Sequence, residues 1–322
     1  MKFYKFKEEN LKILESTRNA YGDTLCKIGE KEKNLVVLDA DLAESTQTIR
    51  FGKKFPDRFF DVGIAEQNLM GIAAGLALCK KIVFVSTFAI FATGRAWDQI
   101  RNVISHDKLN VKIVASHGGI SIGEDGHSHQ ATEDIGLMRV IPEMRVIVPA
   151  DATETRKVIE KIYNMEGPFY VRLTRPSVPK IFDDDYEFEL GESVKLIDGD
   201  DVSIFACGIM VKEAIDAAKI LKEKNIYASV INMSSIKPID EKGIIKEAEI
   251  TGRIITCEDH QINSGLGSAV AEILSEKKPT PLKRIGLKDE FGRSGSKEDL
   301  FKYYNMDSES IAKAAIELVK KF

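Results

Sequence analysis

The sequence predicts an α/β protein built as two successive α/β domains with mostly parallel sheets. Three observations lead there. Short, continuous β-branched runs recur along the chain, the pattern of strands buried on both faces. Longer helical stretches separate them, as in a parallel sheet covered by helices. The alternation stops at 176–200 and then restarts, and 322 residues suffice for two domains, each with its own core.

In the first unit, NLVVLDA (34–40), KIVFVST (81–87), VKIVASHG (111–118), RVIVPA (145–150) and FYVRLTR (169–175) read as parallel strands, since none alternates in and out. Helices are expected over 64–79 and 152–165, the second capped by Asp151 or Thr153. Pro176, Pro179 and the acidic cluster 183–185 then interrupt the pattern without any helical period. Residues 179–200 are therefore expected as a linker between domains over 1–178 and 201–322. The second unit repeats the theme: DVSIFACG (201–208), a helix near 210–224, YASVINM (227–233), RIITCED (253–259), a helix near 266–276 and LKRIGL (282–287). Glycines in CGIM (207–210) and SGLGSAV (264–270) stand where a strand turns into a helix. Neither completes GxGxxG and no acidic ribose ligand is suitably placed, so tight turns and close helix packing explain them.

Composition narrows the function classes. A net charge of −4 without any basic block argues against a nucleic-acid partner. No apolar run reaches the length of a membrane span, so no membrane partner is expected. The opening MKFYKFKEENLK is too charged for a signal peptide. Cys26, Cys79, Cys207 and Cys257 are scattered without CxxC spacing, which suits reduced thiols and a cytoplasmic location.

Two segments carry chemistry. In FDVGIAEQNLMGIAAGLAL (60–78), Glu66 falls early in a helix among small and apolar residues, where the helix dipole favours an anion. Taken alone, such a glutamate usually just caps the helix or faces water. The loop HGGISIGEDGHSHQ (117–130) is more telling. Three of the five histidines, His117, His127 and His129, lie within thirteen residues at the C-terminal end of a predicted strand. Open α/β sheets place their ligands at that edge. The glycines allow turns that gather polar side chains, a pattern that marks a functional site. His127 and His129 with Glu124 and Asp125 could hold a metal, although no HExxH or second ligand set accompanies them. They could equally handle protons on an oxygenated substrate. The residues alone leave both open.

GIAEQ (63–67), STFAIF (86–91), HGGISIGEDGHSHQ (117–130), LTRP (173–176) and IGLKDEFGRSG (285–295) together resemble the transketolase family, in that family's order and over nearly the whole chain. The resemblance is to its pyrimidine-binding and C-terminal domains. It implies the C-terminal subunit of a split transketolase, moving a two-carbon ketol unit between sugar phosphates with thiamine diphosphate, as in pentose phosphate metabolism. Glu66 matches the catalytic glutamate that contacts the cofactor's aminopyrimidine, and Phe88 and Phe91 match the aromatic pair against that ring. Core filling is the plainer reading of the two phenylalanines, and both can hold. Gly94 replaces the usual family tyrosine, with Trp97 as the expected substitute wall.

The resemblance also implies that Asp125 and His129 hydrogen-bond the donor sugar, His129 with a catalytic role. His117, Arg18, Ser45 and Arg175 match the group that grips the substrate phosphate, where a guanidinium fork suits phosphate oxygens. Without the resemblance, Arg18 would read as a solvated surface arginine. Full-length family members begin with a diphosphate-binding domain carrying a GDG metal motif, and no GDG occurs here. The resemblance therefore assigns no metal ligand to this chain. Mg²⁺ and its ligands are expected from a partner N-terminal subunit, in a hetero-oligomer of two plus two. Three relatives of the same fold compete. 1-Deoxyxylulose-5-phosphate synthase usually has aspartate where this chain has His117, and 2-oxoacid dehydrogenase β subunits lack the phosphate set. A non-catalytic subunit would have had little reason to keep Glu66, Asp125 and His129 together. A metal-dependent hydrolase is the rival from another class.

Overall fold

A computed structural model describes residues 1–322. Each β-branched run becomes a strand, trimmed by a few residues at its ends. The first sheet runs in the order Ser235–Lys237, Arg145–Ile147, Phe169–Arg172, Val111–Ala115, Ile82–Ser86, Leu35–Asp39, Phe59–Asp61. The second runs Lys2–Phe3, Val194–Ile197, Ala228–Asn232, Val202–Ala206, Ile254–Gln261, Leu282–Leu287. Neighbours are parallel except for one antiparallel pair in each sheet. The central strands are buried throughout, which is why they carry no polar alternation. The chain is thus two α/β domains with mostly parallel sheets. The helix Glu66–Leu78 and the helix Ala152–Ile162 stand where expected, and Asp151 caps the second by accepting the Glu154 N–H at 2.7 Å.

The boundary between the domains is less clean than the composition suggests. The segment 179–200, expected as a linker, contains the strand Val194–Ile197, paired antiparallel with Ala228–Asn232. Its Phe182 and Tyr186 rings stack at 3.9 Å in the core, and Asp151 accepts the N–H groups of Ile181 and Phe182. Apolar residues there are interleaved with acids that face water, so no run stands out. Two further strands cross over. Lys2–Phe3 pairs with Val194–Ile197 in the second sheet, and Ser235–Lys237 closes the edge of the first. Each is too short for a sequence signal and exists because a neighbour's edge is free to pair.

Residues that end adjacent strands are register partners: Asp39 with Asp61 and Ser86, Ala115 with Arg172. Their following loops consequently open on one edge of the first sheet. No helix is long and apolar enough to cross a membrane.

Candidate active site

At that edge the strand Leu35–Asp39 ends in a fully buried carboxylate. Asp39 accepts the hydroxyls of Thr46 and Thr48, each at 2.7 Å, and the Leu42 N–H at 2.8 Å. Burial pushes its pKa up to about 6 against the pull of those donors. The contacts fix the turn that holds Ser45. Opposite stands Arg18, in the first turn of the helix Thr17–Lys31. Its Nη1 donates to the Ser45 carbonyl at 2.7 Å and its Nη2 to the Arg175 carbonyl at 2.8 Å. Ser45 is therefore engaged through its backbone, while its half-buried hydroxyl stays available. Burial, and then the charge of Arg175, hold Arg18 below the usual arginine pKa. Its buried Nε has no hydrogen-bond partner. Two arginines converge here, and only Arg175 has a carboxylate partner, the exposed Glu124, so the place suits an anion.

His117, two residues beyond the strand Val111–Ala115, lies beside this pair. Its ring stacks on Phe88 at 3.8 Å, and its Nδ1 is 2.8 Å from the Ser116 hydroxyl. Burial drives its pKa down to about 3, helped by Arg18, Arg175 and His129. His117 is therefore neutral at working pH and offers hydrogen bonds without adding charge. An unfolded imidazole titrates near 6.5, so below that pH the unfolded chain binds a proton that the folded chain refuses until about pH 3. His117 accordingly contributes a loss of stability as pH falls through that window. Asp39 acts in the opposite sense, so the comparison to make is with His117→Asn. Urea midpoints should drop more between pH 7.5 and about 4.5 in the wild type than in the variant. Equal drops would show that His117 is not held neutral.

Next to His117 the aromatic pair continues the surface. Phe88 and Phe91 face each other at 5.7 Å with planes 18° apart. The His129 ring meets both edge-on, at 6.3 Å from Phe88 and 5.6 Å from Phe91. Glu66 opens the helix Glu66–Leu78 and is only 4% exposed. Its Oε1 pairs with Arg95 Nη1 at 2.9 Å, and the same guanidinium lies 4.1 Å over the Phe91 ring. Glu66, Arg95, Phe91, His129, Phe88 and His117 thus form one contiguous surface. A buried carboxylate beside a flat aromatic face and two imidazoles can seat a planar heterocycle and hold a proton against it.

Most of the residues singled out in the sequence meet here; Asp125, Trp97 and Glu124 do not. Asp125 stands exposed at the tip of the loop, outside the contacting set. Trp97 does not supply the missing wall at Gly94, because its indole N–H donates to the Leu137 carbonyl at 2.9 Å. A side chain at Gly94 would meet nothing within 4 Å, and the cover over Phe91 is Arg95 instead. The metal reading of the loop loses Glu124, whose Oε2 lies 3.0 Å from Arg175 Nη1. Arg95 was missed in the sequence, although its position four residues after Phe91 on the helix Ala89–Arg95 sets it over that ring.

Comparison with known proteins decides the family. Models of the transketolase pyrimidine-binding domain and the transketolase C-terminal domain match residues 15–180 and 191–311. The chain belongs to the transketolase family. It is 51% identical over 312 residues to a putative transketolase C-terminal section of Methanocaldococcus jannaschii, covering 96% of this chain and 98% of that one. It is 41% identical to a subunit of an apulose-4-phosphate transketolase from Phocaeicola vulgatus, covering 94% and 97%. A solved structure described as a split gene transketolase, inactive β4 tetramer, superposes with a TM-score of 0.89 at 48% identity, covering 95% of this chain and 98% of that one. The chain is therefore a transketolase-family C-terminal subunit.

The transketolase family implies use of thiamine diphosphate, and this surface fits one half of it. Glu66, Phe88 and Phe91 suit the aminopyrimidine. For the diphosphate half, no group of three or more His, Cys, Asp or Glu side chains is placed to hold a metal ion.

Proposed function

We propose that this chain is the C-terminal subunit of a thiamine-diphosphate-dependent transketolase that transfers a two-carbon ketol unit between sugar phosphates. The observation that carries the reading is the continuity of the site. A buried carboxylate on an aromatic shelf lies at one end, two convergent arginines lie at the other, and His117 and His129 span the distance between them. Bound thiamine diphosphate would supply the nucleophilic carbon and electron sink for breaking a carbon–carbon bond beside a ketone. Glu66 holds the proton facing the pyrimidine, and Phe88 and Phe91 set the plane of that ring. His129 orients the donor hydroxyls and moves a proton there, with Asp125 completing the contact once the loop tip closes on a sugar. Arg18, Ser45, His117 and Arg175 receive the phosphate.

The diphosphate and Mg²⁺ would be held by an N-terminal partner subunit, since the relatives that this chain nearly spans are themselves described as a section or a subunit. Beyond its first turn the helix Glu66–Leu78 carries no polar side chain, and Ile64 and Leu78 are 75% and 65% exposed on either side of Gly71 and Gly75. Such a helix belongs inside an assembly, and we assign that face to self-association within a two-plus-two heterotetramer. The four free cysteines suit a cytoplasmic enzyme of pentose phosphate metabolism.

The phosphate assignment is tested with Arg175→Ala in the assembled enzyme. Charge-assisted hydrogen bonds are worth about 1.5–3 kcal/mol, so kcat/KM for a sugar phosphate should fall about 10- to 100-fold more than for the free sugar. Arg175 also donates to the Ile122 carbonyl at 2.7 Å, which gives it a structural alternative. Equal losses on both substrates would mean that this alternative is its whole role.

A further inference from the structure

The second domain contributes none of the groups assigned to the site, yet it grips the loop that carries them. Just before its last residue, the strand Ile254–Gln261 carries three consecutive buried polar residues, Glu258, Asp259 and His260. Each accepts backbone N–H groups from a different element. Glu258 takes those of Leu266 and Gly267 at 2.7 and 2.8 Å, capping the next helix of its own domain. His260 Nε2 takes the Gly136 N–H at 3.4 Å. Asp259 reaches into the loop between His117 and His129. Its Oδ1 accepts the Ile120 N–H at 2.8 Å and its Oδ2 the Ser121 N–H at 3.2 Å.

The far flank of the loop is tied to the same residue. Arg172 Nη2 donates both to the Asp259 carbonyl at 2.7 Å and to the Ala131 carbonyl at 3.1 Å, two residues past His129. Arg172 is itself held by Asp134, with Nε 3.0 Å from Oδ2. The approach is close enough to dictate the sequence. A Cβ on Gly118 would lie 2.0 Å from Arg172 Nε, and one on Gly119 2.1 Å from Asp259 Oδ2. His117, immediately before, sits at φ 63°, a conformation that costs a non-glycine residue energy and persists only where neighbours impose it. A carboxylate bonded to two successive N–H groups fixes the direction of the peptide planes, which apolar packing would not do. Gln130 adds a second tie to the same domain, donating to the Arg293 carbonyl at 2.8 Å.

We propose that Asp259 is a positioning residue for the substrate loop, through which the second domain holds His117 and His129 against Phe88 and Phe91. The inference rests on the proposed function and adds to it a role for the domain that lies outside the site. Asp259 touches no substrate and acts through the loop.

The test uses the assembled enzyme with Asp259→Asn and with Gly119→Ala, which disturbs the same contact from the loop's side. Asparagine keeps the size and one acceptor oxygen but turns its NH₂ toward the second N–H group. Donor KM should rise about tenfold or more in both variants, with kcat within about threefold, because saturating donor reseats the loop. Amide hydrogen exchange at Ile120 and Ser121 should accelerate in Asp259→Asn, while Gly136, held by His260, keeps its protection. A merely structural role would lower the thermal midpoint and leave KM where it was. Wild-type KM in both variants overturns the proposal, and so does unchanged exchange at Ile120 and Ser121. Should the wild type transfer nothing from any sugar phosphate, the proposed function fails separately, and amide exchange alone then decides whether Asp259 holds the loop.

Discussion

Glu66→Gln should slow hydrogen exchange at the thiazolium carbon of thiamine diphosphate, bound to the assembled enzyme, by two orders of magnitude or more. The substitution isolates chemistry from architecture. Glutamine has the shape of glutamate, and at the head of the helix Glu66–Leu78 it leaves the packing of Leu69 and Met70 untouched. Arg95 loses a partner but is half exposed, so water replaces the carboxylate and no buried charge is stranded. What disappears is a group that can hold a proton toward a ring nitrogen and release it. At about 1.4 kcal/mol per tenfold, a hundredfold loss corresponds to about 3 kcal/mol, within the range that one positioned acid–base group supplies. The exchange is followed by NMR after rapid quenching. An unchanged rate in the glutamine variant would remove Glu66 from the catalytic machinery.

The parts of the site that were legible in the sequence share a cause. Phe88, His117 and Arg175 each follow a strand written as a continuous buried run, so locating the strand locates the loop, whereas Glu66 is marked by its place at the head of an apolar helix. Asp259 was illegible for the converse reason. Its partners Ile120 and Ser121 lie 139 and 138 residues away, and within RIITCEDHQ it reads only as the polar end of a strand. The ion pair of Glu66 with Arg95 depends on where two helices meet, which no local period records. The strand Val194–Ile197 was hidden among acids, and Ser235–Lys237 forms only because Arg145–Ile147 leaves an edge open. Asp125 shows the reverse limit: a motif names the residue, but its exposed place at the loop tip is set by the turns of the loop, which the motif does not record.

The purified chain alone should bind no thiamine diphosphate at micromolar concentration and transfer no ketol unit, even with Mg²⁺ present. Burying one aromatic ring of about 150–200 Å² at about 25 cal/mol per Å² contributes about 4–5 kcal/mol. Association costs at least a comparable amount in lost translation and rotation, so the pyrimidine half by itself yields no useful affinity. The rest must come from the diphosphate, bridged through a divalent ion to oxygen ligands. No group of three or more His, Cys, Asp or Glu side chains gathers in this chain to hold such an ion. Arg95 adds a further obstacle in the isolated chain, since it already occupies the carboxylate of Glu66 and covers Phe91. Adding an N-terminal subunit that carries the GDG motif should restore both binding and transfer, with the Mg²⁺ requirement entering at that step. Isothermal titration of the lone chain with thiamine diphosphate and Mg²⁺ is the deciding measurement. Flat heats are expected, followed by stoichiometric binding once the two subunits are mixed. Tight one-to-one binding to the lone chain would mean that the diphosphate site is built here after all, and the split assignment of the cofactor would fall.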